Sequence, residues 1–455
     1  MRRLIRILTT GPLRDASILL LPGLSLKRWL VLGVLGVGVI ALGLAFTFRF
    51  PVGPGFTTFV GTVSLREAPS MLRGGVFIIL GFAALVFAFF KLSSSTRRAK
   101  RKGRGLGLLD SLYVERVLGT GPRIVAVGGG TGLSSLLRGL KHYTANHTAV
   151  VTVADDGGSS GRLRSELGIL PPGDIRNCLV ALANSEDVMQ RLMDYRFSTG
   201  GDLNGHSFGN MLIAALADIG GAFDKGVEMA GELLAVRGRV IPSTSANVTL
   251  VGNTISGQTL VGESRVGTAH ERLRSVALVP PDAPAHPEAQ EAIEKADLII
   301  LGPGSLFTSI VPNLLVPAIA ASIAKSAALK MYVCNVAEQP GETDGYSMLD
   351  HVNVVRRYLG EQAVDIVIVN NNLTTEALSH GVKLITPEVG GKDGPIFVQA
   401  DVIEESTFSH HNPAKLAVAI ASTYRTYRGI RRRFPTEWSR QAASSHNGNA
   451  KANSE

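Results

Sequence analysis

Val125-Ala126-Val127-Gly128-Gly129-Gly130-Thr131-Gly132 is the stretch that decides the fold: an apolar run of strand type entering three successive glycines and a new helix. Such a turn is a backbone nest at a helix start, where unpaired N–H groups and the helix dipole favour an anion. Glycine lets the backbone approach a phosphate closely, and Thr131 adds a hydroxyl. The plainer reading is a tight βα turn without a ligand. Leu133 stands where a G-x-G-x-x-G dinucleotide fingerprint needs its last glycine, so the match to that motif is incomplete. One βα unit later comes Asp155-Asp156-Gly157-Gly158-Ser159-Ser160-Gly161-Arg162-Leu163-Arg164, read as a flexible loop. Its carboxylates suit a hydrated magnesium ion or sugar hydroxyls, with phosphate on the other side. Carboxylates alone repel a pyrophosphate, so Arg162, Arg164 or a metal must offset them. The two turns together imply a phosphorylated, nucleotide-containing ligand.

Further motifs follow the same logic. Pro171-Pro172-Gly173-Asp174-Ile175-Arg176-Asn177 reads as a rigid turn with Asp174 as helix N-cap, a capping role that accounts for Asp174 by itself; the alternative is that Arg176 and Asn177, in the first helical turn, face an anionic ligand. Asn204-Gly205-His206-Ser207-Phe208-Gly209-Asn210 opens another helix, in which His206 is a candidate base, a phosphate donor or a structural cap residue. Leu301-Gly302-Pro303-Gly304-Ser305 repeats the first turn, with Ser305 as the expected N-cap. Asn335 ends a strand with an amide able to donate and accept. Gln339 to Tyr346 lies near enough to close over the same ligand. No P-loop, H-E-x-x-H or nucleophile elbow is present.

From Pro122 onward, apolar runs alternate with helical stretches, which predicts an α/β, Rossmann-like, doubly wound and mainly parallel sheet. Strands are expected at 124–127, 150–153, 240–241, 248–251, 276–279, 298–301, 331–333 and 366–369. Helices are expected at 133–143, 175–183, 187–195, 209–219, 223–234, 288–295, 315–326 and 347–358. Val251 to Glu263 reads as a β-hairpin beside the site.

The chain has 455 residues, 45% of them hydrophobic, enough for a membrane region and a large folded domain. Its formal charge of +9 is concentrated at residues 2–28, 91–104 and 425–433, outside the ligand-binding domain, so no specific nucleic-acid partner is expected. Cys178 and Cys334 stand far apart without ligand-type spacing, which predicts neither a disulfide nor zinc; haem and flavin are not expected either. Trp29 to Phe48 and Gly74 to Phe90 are apolar runs read as two transmembrane helices, and the cations flanking them put both ends in the cytoplasm. The expected organisation is a basic N-terminus (1–28), a membrane hairpin (29–92), a basic linker (93–121), the ligand-binding domain (122–412), a basic helix (413–434) and a disordered tail (435–455). The expected location is therefore the cell membrane, multi-pass, with the ligand-binding domain in the cytoplasm.

The ordered set GGGTG, ADDGGSSGRLR, PPGDIRNCL, GHSFGN, ILGPGSLFTS and QPGETDGYS resembles the bacterial gluconeogenesis-factor (YvcK) family, sister to the CofD phospholactate transferases. The resemblance runs from about Arg123 to Asn372. It implies a Rossmann-type fold that binds UDP-N-acetylglucosamine, with a role in cell shape and wall-precursor supply. Carried over motif by motif, it implies a pocket of Gly129, Gly130, Thr131, Gly132, Asp155, Asp156, Ser159, Ser160, Gly161, Arg162, Arg164, His206, Asn210, Gly302, Gly304, Ser305, Phe307 and Asn335, to which the reading of the helix start adds Asp174, Arg176 and Asn177 as ligand-binding candidates. Family members commonly carry Tyr at the position of Phe307, where stacking on a base or sugar is then expected to survive without the hydroxyl. The leading expectation is a nucleotide-sugar sensor that contacts a wall-precursor enzyme, with self-association open. The rival is a CofD-like transferase in which Asp155 or Asp156 holds magnesium and His206 or an aspartate assists the acceptor.

Overall fold

The structure is a computed structural model and describes residues 26–48, 70–102, 118–183, 186–361, 363–388 and 394–433. The chain divides into two compact units, Met1–Gly119 and Thr120–Glu455.

Within the first unit, α1 (Leu26–Thr47) and α2 (Ser70–Lys102) pack closely through glycines. A methyl group built on Gly81 would fall 2.6 Å from the Gly36 carbonyl oxygen, and one on Gly43 2.8 Å from that of Gly74. Small residues at such spacing let two helix backbones approach. Among the described residues, one helix has the length and apolar content to cross a membrane, Gly74–Lys91. Val31–Ala45 is apolar but shorter. The expected pair of spans is therefore corrected to a single candidate. α2 also continues to Lys102, into the stretch read as linker. Residues 1–25 of the basic N-terminus and the C-terminal tail lie outside the described residues, while α1 begins within the former at Leu26.

The second unit runs β1 (Ile124–Gly128), α3 (Gly130–Leu140), β2 (His147–Val151), α4 (Gly158–Leu167), α5 (Gly173–Leu182), α6 (Glu186–Asp194), α7 (Phe208–Gly220), α8 (Phe223–Leu233) and β3 (Arg239–Pro242). Then come β4 (Thr249–Thr254), β5 (Thr259–Val261), α9 (Glu263–Val266), β6 (Leu273–Val279), α10 (Pro287–Glu294) and β7 (Leu298–Leu301). A single π-helical turn at Leu306–Ile310 leads to α11 (Val311–Leu314) and α12 (Pro317–Lys325). The chain closes with β8 (Leu329–Val333), α13 (Met348–Leu359), β9 (Ile366–Asn370), α14 (Glu376–Ser379), β10 (Ile396–Ala400) and α15 (Pro413–Arg433).

Seven strands form one sheet in the order β10-β9-β8-β7-β1-β2-β3, with every pair parallel. β1, β7, β8 and β9 are buried along their whole length, as continuous apolar strands covered on both faces must be. The strand order reverses between β1 and β7. In an open α/β sheet that reversal leaves a crevice at the carboxyl ends of the two strands, the usual place for a ligand.

Three expectations fail here. The 248–251 and 276–279 segments are not parallel-sheet strands: β4 and β6 pair antiparallel, with β5, in a separate three-stranded sheet that contains the expected hairpin. The Gly157–Arg164 stretch is no flexible loop. Its glycines occupy only the cap and first turn, where Gly158 takes φ +48°, and Ser159 to Leu167 continue as α4 until Gly168 ends it in the left-handed region. β10, half-buried at the sheet edge, has no counterpart in the sequence reading.

Candidate functional site

The two glycine bends meet. Gly129 is the N-cap of α3 and Gly130 has φ +64°, whereas Gly302 and Gly304 take φ +75° and +154° around Pro303. A methyl on Gly132 would lie 2.6 Å from the Pro303 carbonyl oxygen and 2.8 Å from Gly304 N and Cα; one on Gly304 would lie 3.2 Å from the Gly129 carbonyl oxygen. The bends after β1 and β7 are thus in van der Waals contact at the reversal point. Asn313, fully buried, fastens them by donating from Nδ2 to the carbonyls of Gly128 (3.0 Å) and Ser309 (2.7 Å). Thr131 is exposed in the first turn of α3.

Carboxyl groups surround this contact. Asp174 is not an N-cap, since α5 already begins at Gly173. It lies instead beneath the first bend, where a methyl on Gly129 would come within 2.5 Å of its Oδ2, and it accepts a hydrogen bond from the Gly130 N–H. Burial, reinforced by the charge of Asp155, raises its pKa to about 6. Glu263, at the start of α9, is raised to about 7 by burial and then by Asp155, against a hydrogen bond from Thr308. Asp155 itself accepts the Gly157 N–H at 2.9 Å, and Asp156 accepts the amide and hydroxyl of Ser264 at 2.9 and 2.7 Å, anchoring α9. The carboxylates expected to share magnesium therefore hold different partners. Among the described residues, no group of three or more His, Cys, Asp or Glu side chains is arranged to hold a metal ion.

The expected arginines also have protein partners: Arg162 donates to the Asn204 carbonyl (2.9 Å) and Arg164 to the Val248 carbonyl (2.6 Å). Gly161 sits where a side chain would collide with the Asp156 carbonyl. Arg176 is buried, not facing a ligand. It donates to Ser207 Oγ (2.7 Å), Asn210 Oδ1 (3.1 Å) and Asn177 Oδ1 (2.9 Å), with Asp194 at 3.4 Å. Asn210 reaches back to Ser160 Oγ at 3.4 Å, and Ser159 Oγ lies 3.2 Å from His206 Nδ1. The start of α4 is thereby joined to the start of α7. Replacing Arg176 with Met is expected to lower stability by about 2–4 kcal/mol, because several buried acceptors lose their donor. Thermal unfolding, with faster amide exchange at the start of α7, checks this.

At the second bend, Ser305 makes no side-chain cap. Glu342 does that work from the loop after β8: its Oε1 accepts the amides of Phe307 (2.6 Å) and Thr308 (3.1 Å), while Oε2 is buried without a partner. Burial raises its pKa to about 7, against those hydrogen bonds and one from the Ser305 side chain. Phe307 is not a stacking platform. Only 2% exposed, its ring meets Tyr346 edge to face at 5.9 Å, and Arg272 covers Tyr346 from outside. Asn335 follows β8, half-buried.

The sequence reading missed Glu342, Glu263 and Asn313. Glu342 lies within the Gln339–Tyr346 loop already expected near the site; Asn313 carries no local signal, because its role is a contact with Gly128 far away in sequence.

For groups with raised carboxyl pKa values, the folded state binds protons that the unfolded state releases. The stabilisation is complete near pH 4 and is lost as pH rises through about 6 to 7, the values reached by Asp174, Glu263 and Glu342. Stability is expected to fall over that window. In Glu342→Gln, which cannot ionise, the melting temperature relative to wild type should rise between pH 5 and pH 8.

The family model described as 2-phospho-L-lactate transferase CofD matches residues 124–392, the span holding both bends and the carboxyl cluster. The chain belongs to the CofD/gluconeogenesis-factor family. A relative from Nostoc is 44% identical over 420 residues, covering 89% of this chain and 91% of its own length. That share exceeds what lies beyond Ile124, so the likeness reaches into the preceding unit. The gluconeogenesis factor of Bacillus subtilis is 49% identical over 254 residues, 56% of this chain and 80% of its own. A crystal structure of a UPF0052 family protein from Bacillus halodurans is 41% identical, covers 66% of this chain and 99% of its own, and superimposes with a TM-score of 0.62. Family membership fixes the α/β fold with its mainly parallel sheet.

Proposed function

We propose that this chain binds a nucleotide sugar, UDP-N-acetylglucosamine, at the β1/β7 reversal point and acts as a regulator of wall-precursor supply and cell shape under gluconeogenic growth. The observation that carries the reading is the contact of the two glycine bends, which brings the ends of β1 and β7 to one place for a diphosphate; the Gly130 and Gly302 N–H groups donate to Asp174 and the Val127 carbonyl, which leaves the neighbouring amides of each bend for the ligand. Protonation of Asp174 and Glu263 lowers the negative charge that such a ligand meets. Binding would act on the segment from Asp155 through α4, and through it on an enzyme partner. Calorimetry of the purified chain with UDP-N-acetylglucosamine, GDP, GTP and NAD, with and without magnesium, tests this. The expected result is preference for the UDP-sugar; absence of binding by any UDP-sugar refutes it.

The family model's description supports a second reading, a phosphoryl- or nucleotidyl-transferase. Product analysis with labelled nucleotide separates the two: turnover lost in Asp155→Asn with binding intact would favour the transferase.

We also place the chain at the cell membrane, with this domain on the cytoplasmic side. The exposed apolar residues Val34, Ile79, Phe82 and Phe89 of α1 and α2 support a lipid-facing surface. Recovery of the full chain in the membrane fraction, resistant to high salt, is expected; release by salt alone contradicts it.

A further inference from the structure

Ser159 and His206 are each only 4% exposed. Ser159 Oγ accepts the Ser207 N–H at 3.3 Å and lies 3.2 Å from His206 Nδ1. A serine hydroxyl has one proton to donate, and an imidazole nitrogen either donates or accepts. If Nδ1 carried the proton, Ser159 Oγ would receive two donors and its own hydrogen would have no acceptor in a buried position, an arrangement that buried polar groups avoid. The arrangement that satisfies every group has Ser159 donating to Nδ1. The neutral ring then carries its proton on Nε2, for which no protein partner exists among the described residues and which is not sealed from solvent.

This pair borders the site. Asn210 bonds Ser160; a methyl on Gly173 would lie 2.5 Å from Ser160 Oγ and 3.2 Å from Asp155 Oδ2, and Asp174 follows beneath the first glycine bend. We propose that Ser159 is a positioning residue that locks neutral His206 as an Nε2–H donor, directed to an anionic oxygen of the bound nucleotide sugar, so that His206 binds and does not act as a base. The proposal rests on the nucleotide-sugar reading for its ligand, but the lock itself does not.

The experiment is nitrogen NMR on the full chain labelled at histidine, without ligand, with the His206 signals assigned by their loss in His206→Gln. The expected result is an unprotonated, pyridine-type Nδ1 and a protonated Nε2 in wild type. Ser159→Ala should give a mixture of tautomers, and Ser159→Thr, which keeps the hydroxyl, should restore the wild-type pattern. A protonated Nδ1 in wild type, or a pattern unchanged in Ser159→Ala, overturns the lock. Calorimetry with UDP-N-acetylglucosamine then tests the donor. His206→Gln, whose amide nitrogen stands near the Nε2 position, should bind like wild type, whereas His206→Asn and His206→Ala should lose about ten- to hundredfold, the worth of one hydrogen bond to a charged group. Equal losses in Gln and Ala overturn the donor role. A chain that binds no nucleotide sugar refutes the functional reading, while the nitrogen signals still decide the lock.

Discussion

Gly132→Val is expected to abolish nucleotide binding and to destabilise the α/β unit. The three nearest atoms to a methyl at this position, the Pro303 carbonyl oxygen and Gly304 N and Cα, lie at 2.6–2.8 Å and all belong to backbone. No rotamer change relieves that overlap. The bends after β1 and β7 must separate, which also strains the Asn313 hydrogen bonds to Gly128 and Ser309. Overpacking of this kind costs about 1–3 kcal/mol, and the displaced bends no longer offer their amides to one ligand. A control is Gly158→Ala, where nothing lies within 4 Å of the added methyl and the cost is confined to the positive φ of +48°. It should lose stability alone, by about 1 kcal/mol. Denaturant unfolding and calorimetry on both variants check the contrast.

Glu342→Ala has the next largest expected effect. It leaves the amides of Phe307 and Thr308 without their acceptor, in a place where Phe307 is 2% and Thr308 4% exposed. A buried donor stripped of its partner costs about 1–3 kcal/mol, so two together are expected to remove several kcal/mol, less whatever a penetrating water restores. The Gln339–Tyr346 loop loses its attachment to the second bend as well. Glu342→Gln keeps a carbonyl oxygen for those amides and should retain most of the stability near pH 5, where the native carboxyl is itself protonated. A single hydrogen-bonding role for Glu342 thus predicts a wide gap between Ala and Gln. Equal losses would show that the carboxyl does not cap the turn.

Much of this architecture can be read from the chain because it depends on local pattern. Ile124–Gly128, Leu298–Leu301 and Ile366–Asn370 are continuous apolar runs, as strands covered on both faces require, and the structure puts each within a residue of expectation. The glycine bends announce themselves because the positive φ values of Gly130 and Gly302 strongly favour glycine. Where the reading failed, a distant contact decided the outcome. α4 begins with glycines that suggest a loop, yet its serines are buttoned to α7 and its arginines to backbone carbonyls. Arg176 looked like an anion ligand from its place in a first helical turn; Ser207 and Asn210, thirty residues on, make it interior. Likewise, β4 and β6 have apolar runs no different from those of the main sheet, and only their pairing partners show that they lie outside it. The first apolar segment is helical along its length as α1, but the apolar stretch within it, Val31–Ala45, is shorter than a span.

The most direct measurement of the central claim is backbone amide exchange of the full chain with and without UDP-N-acetylglucosamine. Joint protection of the Gly129, Thr131 and Gly132 amides and of those of Gly304 to Leu306 is predicted, since both bends must serve one diphosphate and the Gly130, Gly302 and Phe307 amides already have protein acceptors. Ligand-dependent protection confined to one bend, or located away from both, would contradict the account.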